Sequence, residues 1–122
     1  MRRERQRHSI GKSEEFAVGR MKLIRIGTRD IGVIRLQSGE LRAVMNRCPH
    51  KGAPICQGII GGVWDSPGPG ELTFDATRHV LVCPWHGFEY DLKTGREVCW
   101  KGAGSLRMYP IEDEGGEVVV AL

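Results

Sequence analysis

No stretch of this 122-residue chain reaches the roughly 18 uninterrupted apolar residues that a membrane-spanning helix needs. The basic start through Arg7 runs into His8-Ser9 with no apolar segment behind it. Neither a secretory signal nor an export signal built on Arg2-Arg3 is therefore expected, and the chain reads as cytoplasmic, away from the membrane. Apolar side chains nowhere recur at the period of a substantial helix, and no internal repeat stands out. A charged body is missing too. The formal net charge is +3, and Arg2, Arg3, Glu4, Arg5 and Arg7 account for all of it. A nucleic-acid binder would spread Lys and Arg over a folded face among aromatics, so that class is not indicated. Histidine is scarce, with four in all, which limits how many metal or acid–base sites the chain can furnish.

What is present suits one small all-β domain. With 40% apolar side chains the chain can bury one core and not two, so a single, complete domain is expected over 15–122, behind a basic flexible tail over 1–14. Residues 1–60 carry 13 basic against 5 acidic side chains and 61–122 carry 5 against 10, an imbalance that strand pairing between the halves would cancel. Period-two runs at 21–26, 31–36 and 41–45, separated by turns at Gly27-Thr28-Arg29-Asp30 and Gln37-Ser38-Gly39-Glu40, predict a meander. Glycine and proline then crowd 52–70, which rules out a helix there and leaves short strands at 59–64 and 72–74 around a loop. Val80-Leu81-Val82 leads directly into Cys83, and 88–92 is a strand leaving the next loop. Residues 106–111 and 117–121 are expected to pair across Asp113-Glu114-Gly115-Gly116.

Two tight loops carry the chemistry. Cys48-Pro49-His50 and Cys83-Pro84-Trp85-His86 each offer one soft thiolate and one imidazole, together a Cys2His2 set. Zinc is the first rival, but zinc knuckles usually pair like with like, C-x2-4-C with H-x3-5-H, because one tetrahedral ion needs nothing more. A mixed pair on each loop makes sense when two metal atoms lie side by side and each loop serves both. The other candidates are plainer. Cys56 and Cys99 read as packed thiols, and His79 and His8 as surface or packing residues. Glu89 and Asp91 read as the polar face of a strand, and Pro84 with Trp85 as a partner contact or a lid over the metal.

Embedded as Cys-Pro-His-Lys-Gly-Ala-Pro and Cys-Pro-Trp-His-Gly-Phe-Glu-Tyr-Asp-Leu-Lys-Thr-Gly, the two loops resemble the Rieske 2Fe-2S domain over 46–96, with only a β-meander in agreement outside. The resemblance implies an all-β sandwich of antiparallel sheets with an inserted cluster-binding subdomain at about 46–98. By the same resemblance Cys48 and Cys83 would bind the inner iron, and His50 and His86 the outer. The interval between His50 and Cys83, 32 residues, is about twice the family's usual spacing, and the surplus is placed in an extended surface loop at about 64–77, cheap to close because closure cost grows only logarithmically.

Charge counting supplies the redox character. Two ferric ions, two sulfides, two thiolates and two neutral imidazoles sum to zero, against minus two for four thiolates, which places such clusters from roughly −150 to +300 mV. High-potential members add a disulfide cysteine in each loop and a serine after the second, whereas this chain has Ala53, Trp85 and Phe88 there and keeps only Tyr90 as a hydroxyl. A potential in the lower half of the range is expected. The resemblance also implies that oxidation acidifies the outer N–H groups of His50 and His86, coupling electron and proton transfer at high pH.

An oxygenase would need a second, mononuclear iron held by two His and a carboxylate, and only His8 and His79 remain. The chain is therefore expected to be a non-catalytic electron carrier, taking one electron from a flavoprotein or ferredoxin reductase and passing it to an oxygenase or another terminal enzyme. A small subunit similar to that of assimilatory nitrite reductase is the alternative within this chemistry. A structural zinc or redox-sensing binding module is the alternative outside it.

Overall fold

Alternation of apolar and polar side chains sets the faces of the sheets in the computed structural model. It describes residues 6–49, 52, 54–57, 59–65, 73–84, 88–98 and 104–122, and of 57, 59, 61–65 and 73–78 the backbone. The chain divides into two compact units, one formed by the residues up to Met45 with Arg107–Leu122, the other by Asn46–Leu106.

The first unit contains β1 (Arg7–Lys12), β2 (Lys22–Ile26), β3 (Arg29–Arg35) and β4 (Leu41–Met45), and, from the end of the chain, β8 (Met108–Tyr109), β9 (Ile111–Glu114) and β10 (Glu117–Ala121). Two antiparallel sheets result, in the orders β2-β3-β4-β8 and β1-β10-β9. Ile24 stands opposite Ile31, Val33 opposite Ala43 and Ala43 opposite Tyr109, so period two puts these side chains on one face. Val118 and Val120 from the other sheet complete a sandwich core with Phe16 and Leu41. Each such side chain contributes about 1.5–3 kcal/mol when fully buried, so this unit has a core that needs no metal.

The expected flexible tail over 1–14 is corrected from residue 7 on by β1, which pairs with β10 from Arg7 opposite Ala121 to Lys12 opposite Glu117, while residues 1–5 lie outside the described residues. Ile10 is the one apolar residue of β1 packed on the core, too thin a signal for periodicity to detect. The strand takes its hydrogen bonds from the valine-rich β10, with Arg7 paired to Glu114 and the Ser9 hydroxyl bonded to Glu117. The basic beginning of the chain is thus partly neutralised by its acidic end. The expected 106–111 strand is split at Pro110, which has no N–H for a ladder. β8 stays with β4, and β9 joins β10 after the Pro110 carbonyl accepts the Ala121 N–H at 2.9 Å. Gly115 and Gly116, at φ +63° and +95°, form the two-residue turn between β9 and β10 that only such residues fill without strain.

Arg35 ties this unit's irregular segments together. Its Nε donates to the Phe16 carbonyl at 2.9 Å, Nη1 to the Gly39 carbonyl at 2.8 Å, and Nη2 to the Ser13 hydroxyl at 2.8 Å and its carbonyl at 3.2 Å. Replacing Arg35 with Ala strands these acceptors, and a loss of about 2 kcal/mol is expected. For a domain of this size that is a melting temperature lower by roughly 6–10 °C. A thermal melt within about 2 °C of the parent would show that the bonds are redundant.

The second unit holds β5 (Ile59–Asp65), β6 (Thr73–Val82) and β7 (Glu89–Asp91), antiparallel in that order. Of the expected loop at about 64–77, Trp64, Asp65 and residues 73–77 are strand instead, with Val63 paired to Asp75, Trp64 to Phe74 and Asp65 to Thr73 after a register shift between Gly61 and Val63, while residues 66–72 lie outside the described residues. Residues 75–79 do not alternate, so the sequence suggests two short pieces where the structure has one strand, paired with β5 at 73–75 and at 80–82 on either side of the register shift. Among the described residues no helix is long and apolar enough to cross a membrane.

Candidate metal centre

β6, hydrogen-bonded on both sides, delivers Cys83 immediately beyond its last residue, with Val80 and Leu81 buried behind it. The Cys83 N–H donates to the Phe88 carbonyl at 2.7 Å and closes the second loop. The first loop leaves the end of β4 through Asn46 and Arg47, and there the Gly52 N–H donates to the Cys48 carbonyl at 2.8 Å. Cys48 and Cys83 are 1% and 2% exposed, and none of the described cysteines is in a disulfide.

A buried hydroxyl stands beside Cys48. Tyr90, on β7 and 0% exposed, stands opposite Leu81, and its Oη lies 3.4 Å from Cys48 Sγ. Burial above all, then the hydrogen bond to Cys48 and the nearby charges of Cys48, Glu97 and Cys83, push its pKa well above the ordinary tyrosine value. The phenol therefore stays protonated, and beside an ionised Cys48 it is the donor. Of the expected site residues the structure describes Cys48, Cys83 and Tyr90, all buried, and brings Cys48 and Tyr90 into contact. His50, His86, Trp85 and Cys99 lie outside the described residues.

Of the surface or packing role expected for His79, the structure shows the packing one. It is 9% exposed rather than at the surface, because β6 is the central strand of its sheet, and its Nδ1 has no hydrogen-bond partner among the described residues. It shares a face with Leu81 and hence with Tyr90. His8 is half-buried in β1 rather than in a tail. Cys56 is the packed thiol expected, its pKa pushed up to about 12 by burial. Glu89 and Asp91 flank Tyr90 on β7 and are half-buried. Sequence reasoning missed Asn46, whose Oδ1 accepts the Cys56 N–H at 2.9 Å. Its position two residues before Cys48 was the one available signal.

Buried, soft, paired thiols with a hydroxyl aimed at one of them suit an iron–sulfur group. The family model for the Rieske [2Fe-2S] domain matches residues 6–110. The chain belongs to this family. Its cofactor is a Rieske-type 2Fe-2S cluster, and the donors described here fit that group. The ferredoxin subunit of 3-phenylpropionate/cinnamic acid dioxygenase from Escherichia coli K12 is 30% identical over 99 residues, covering 81% of this chain and 79% of the relative. Mouse apoptosis-inducing factor 3 is 26% identical over 102 residues, yet this Rieske chain spans only 14% of that protein. Among solved structures, a Mycobacterium tuberculosis protein named for the small subunit of an NADH-dependent nitrite reductase superposes with a TM-score of 0.71 at 21% identity, over 97% of this chain and 96% of its own.

Proposed function

We propose that this Rieske protein is a non-catalytic, cytoplasmic one-electron carrier, in which Cys48 and Cys83 hold one iron and His50 and His86 the other. It takes its electron from a flavoprotein or ferredoxin reductase and delivers it to an oxygenase or other terminal enzyme. The observation that carries this reading is the pair of buried thiols in two loops closed by backbone hydrogen bonds, with the Tyr90 hydroxyl beside Cys48. When bound, the cluster supplies a site that gains and loses one electron. The loops do the rest: Cys48 and Cys83 are held in place, so little reorganises, and Tyr90 donates toward Cys48. Of the other histidines, His79 is buried in β6 and His8 lies on β1. This supports a chain without a mononuclear iron site of its own. The match along most of the E. coli ferredoxin subunit's length favours a mobile carrier serving an oxygenase over a fixed reductase subunit.

The experiment is spectroscopic. The purified protein is expected to be red-brown, to contain two irons and two acid-labile sulfides per chain, to bleach with one electron equivalent of dithionite, and to have a midpoint in the lower half of the roughly −150 to +300 mV range. A colourless protein with one zinc per chain would establish the zinc module instead. Co-purification from the native cell in a fixed complex with a large reductase would establish the small-subunit reading.

A further inference from the structure

Among the described residues of the first cluster loop none is in a strand, and the Asn46 side chain spans it. Asn46 stands just after β4, two residues before Cys48, and its Oδ1 accepts the N–H of Cys56 at 2.9 Å. Cys56 lies in the short 3-10 turn Ile55–Gln57, where a first-turn N–H has no partner within the helix, and both Ile55 and Cys56 are buried. A buried backbone donor needs an acceptor, and here the acceptor comes from the other end of the loop. Inside the span the Gly52 N–H reaches back to the Cys48 carbonyl. The Arg47 guanidinium rests on Gly52, its Nε 3.3 Å from where a Cβ would stand, with Gly52 at φ +75°. With Ala53 and Trp85 in this chain, no cysteine pair is available to cross-link the two loops.

We infer that Asn46 is a positioning residue for the cluster: by clasping Cys56 it fixes the loop that carries Cys48 and so holds the Cys48 sulfur at the Tyr90 hydroxyl. The inference rests on the reading of Cys48 as a ligand, which a Cys48→Ala protein tests separately: a full cluster in that variant would sink the assignment whatever Asn46 does.

The test uses the holoprotein with Asn46→Ala and Asn46→Asp. Losing one hydrogen bond to a buried donor corresponds to roughly a tenfold change in an equilibrium. Cluster loss to an iron chelator, followed by visible absorbance well below the melting temperature, is expected to be roughly tenfold faster in Asn46→Ala. Asn46→Asp keeps the acceptor and is expected to stay within about threefold of the parent. The midpoint potential of Asn46→Ala should fall toward that of Tyr90→Phe, and adding Asn46→Ala to Tyr90→Phe should shift it little further, since the bond through which Asn46 acts is already gone. Parental cluster lifetime and potential in Asn46→Ala would overturn the inference, as would an undiminished shift in the Tyr90→Phe background. If Asn46→Ala fails to assemble a cluster at all, Asn46→Asp decides: assembly supports the clasp, and failure overturns it.

Discussion

A Cys83→Ala protein is expected to emerge colourless, with no inorganic sulfide, while its sandwich unit stays folded. The two halves of this result have different causes. Cys83 is placed by the central strand of its sheet and by its N–H bond to Phe88, so among the described residues no other thiol is placed to take over; Cys56, the nearest of them in sequence, is buried with its pKa pushed up to about 12. A thiol that stays protonated is a poor ligand. The sandwich unit, by contrast, has its own core of Ile31, Val33, Leu41, Ala43, Tyr109, Val118 and Val120. The Asn46–Leu106 unit is where metal binding and folding are linked, and binding energies of about 10 kcal/mol act as folding energy where no finished site exists beforehand. Amide hydrogen exchange should therefore accelerate by more than about a thousandfold in β5, β6 and β7 of Cys83→Ala and change little in β2, β3 and β4. A retained visible spectrum would remove Cys83 from the ligand set, and unchanged protection across β6 would show that the unit stands without metal.

The sequence announced the chemistry more clearly than the strand map. The C-x-H and C-x2-H loops were legible because ligand identity and spacing are local, and β4 and β10 because their side chains alternate or are uniformly branched. β1 was not legible, since Ile10 alone marks it and its hydrogen bonds come from a strand more than a hundred residues away. The short strands expected at 59–64 and 72–74 do pair, and what the sequence did not show is that the second continues into Val80–Val82 as one strand, because residues 75–79 do not alternate and the pairing with β5 crosses a register shift there. The burial of His79 follows from β6 being central, which is a property of the sheet and not of the strand. The Asn46 to Cys56 clasp joins residues whose separation has no meaning until the loop is folded. Pro110, on the other hand, carried the signal for the switch between sheets in its missing N–H.

A Tyr90→Phe protein is expected to keep its cluster and lose potential. The ring fills the same buried site opposite Leu81, so packing is preserved and only the hydroxyl 3.4 Å from Cys48 Sγ is removed. That hydroxyl stabilises the reduced form more, because the added electron makes the cluster and its thiolates more negative. A differential of about 1–1.4 kcal/mol is typical of one such bond, and for one electron it lowers the midpoint by roughly 40–60 mV, since a tenfold change is about 59 mV. The pH dependence follows from the raised pKa of Tyr90, caused first by burial and then by the bond to Cys48. A folded-state pKa above the unfolded value means that the folded protein holds the proton more tightly. The stabilisation is complete below about pH 10 and is lost as pH rises through the folded value. The stability of the parent relative to Tyr90→Phe should accordingly be constant through neutral pH and decline above about pH 10. Film voltammetry of the pair at pH 7 with denaturant titrations from pH 7 to 11 measures both effects. Equal midpoints would mean that the hydroxyl does not act on the Cys48 sulfur.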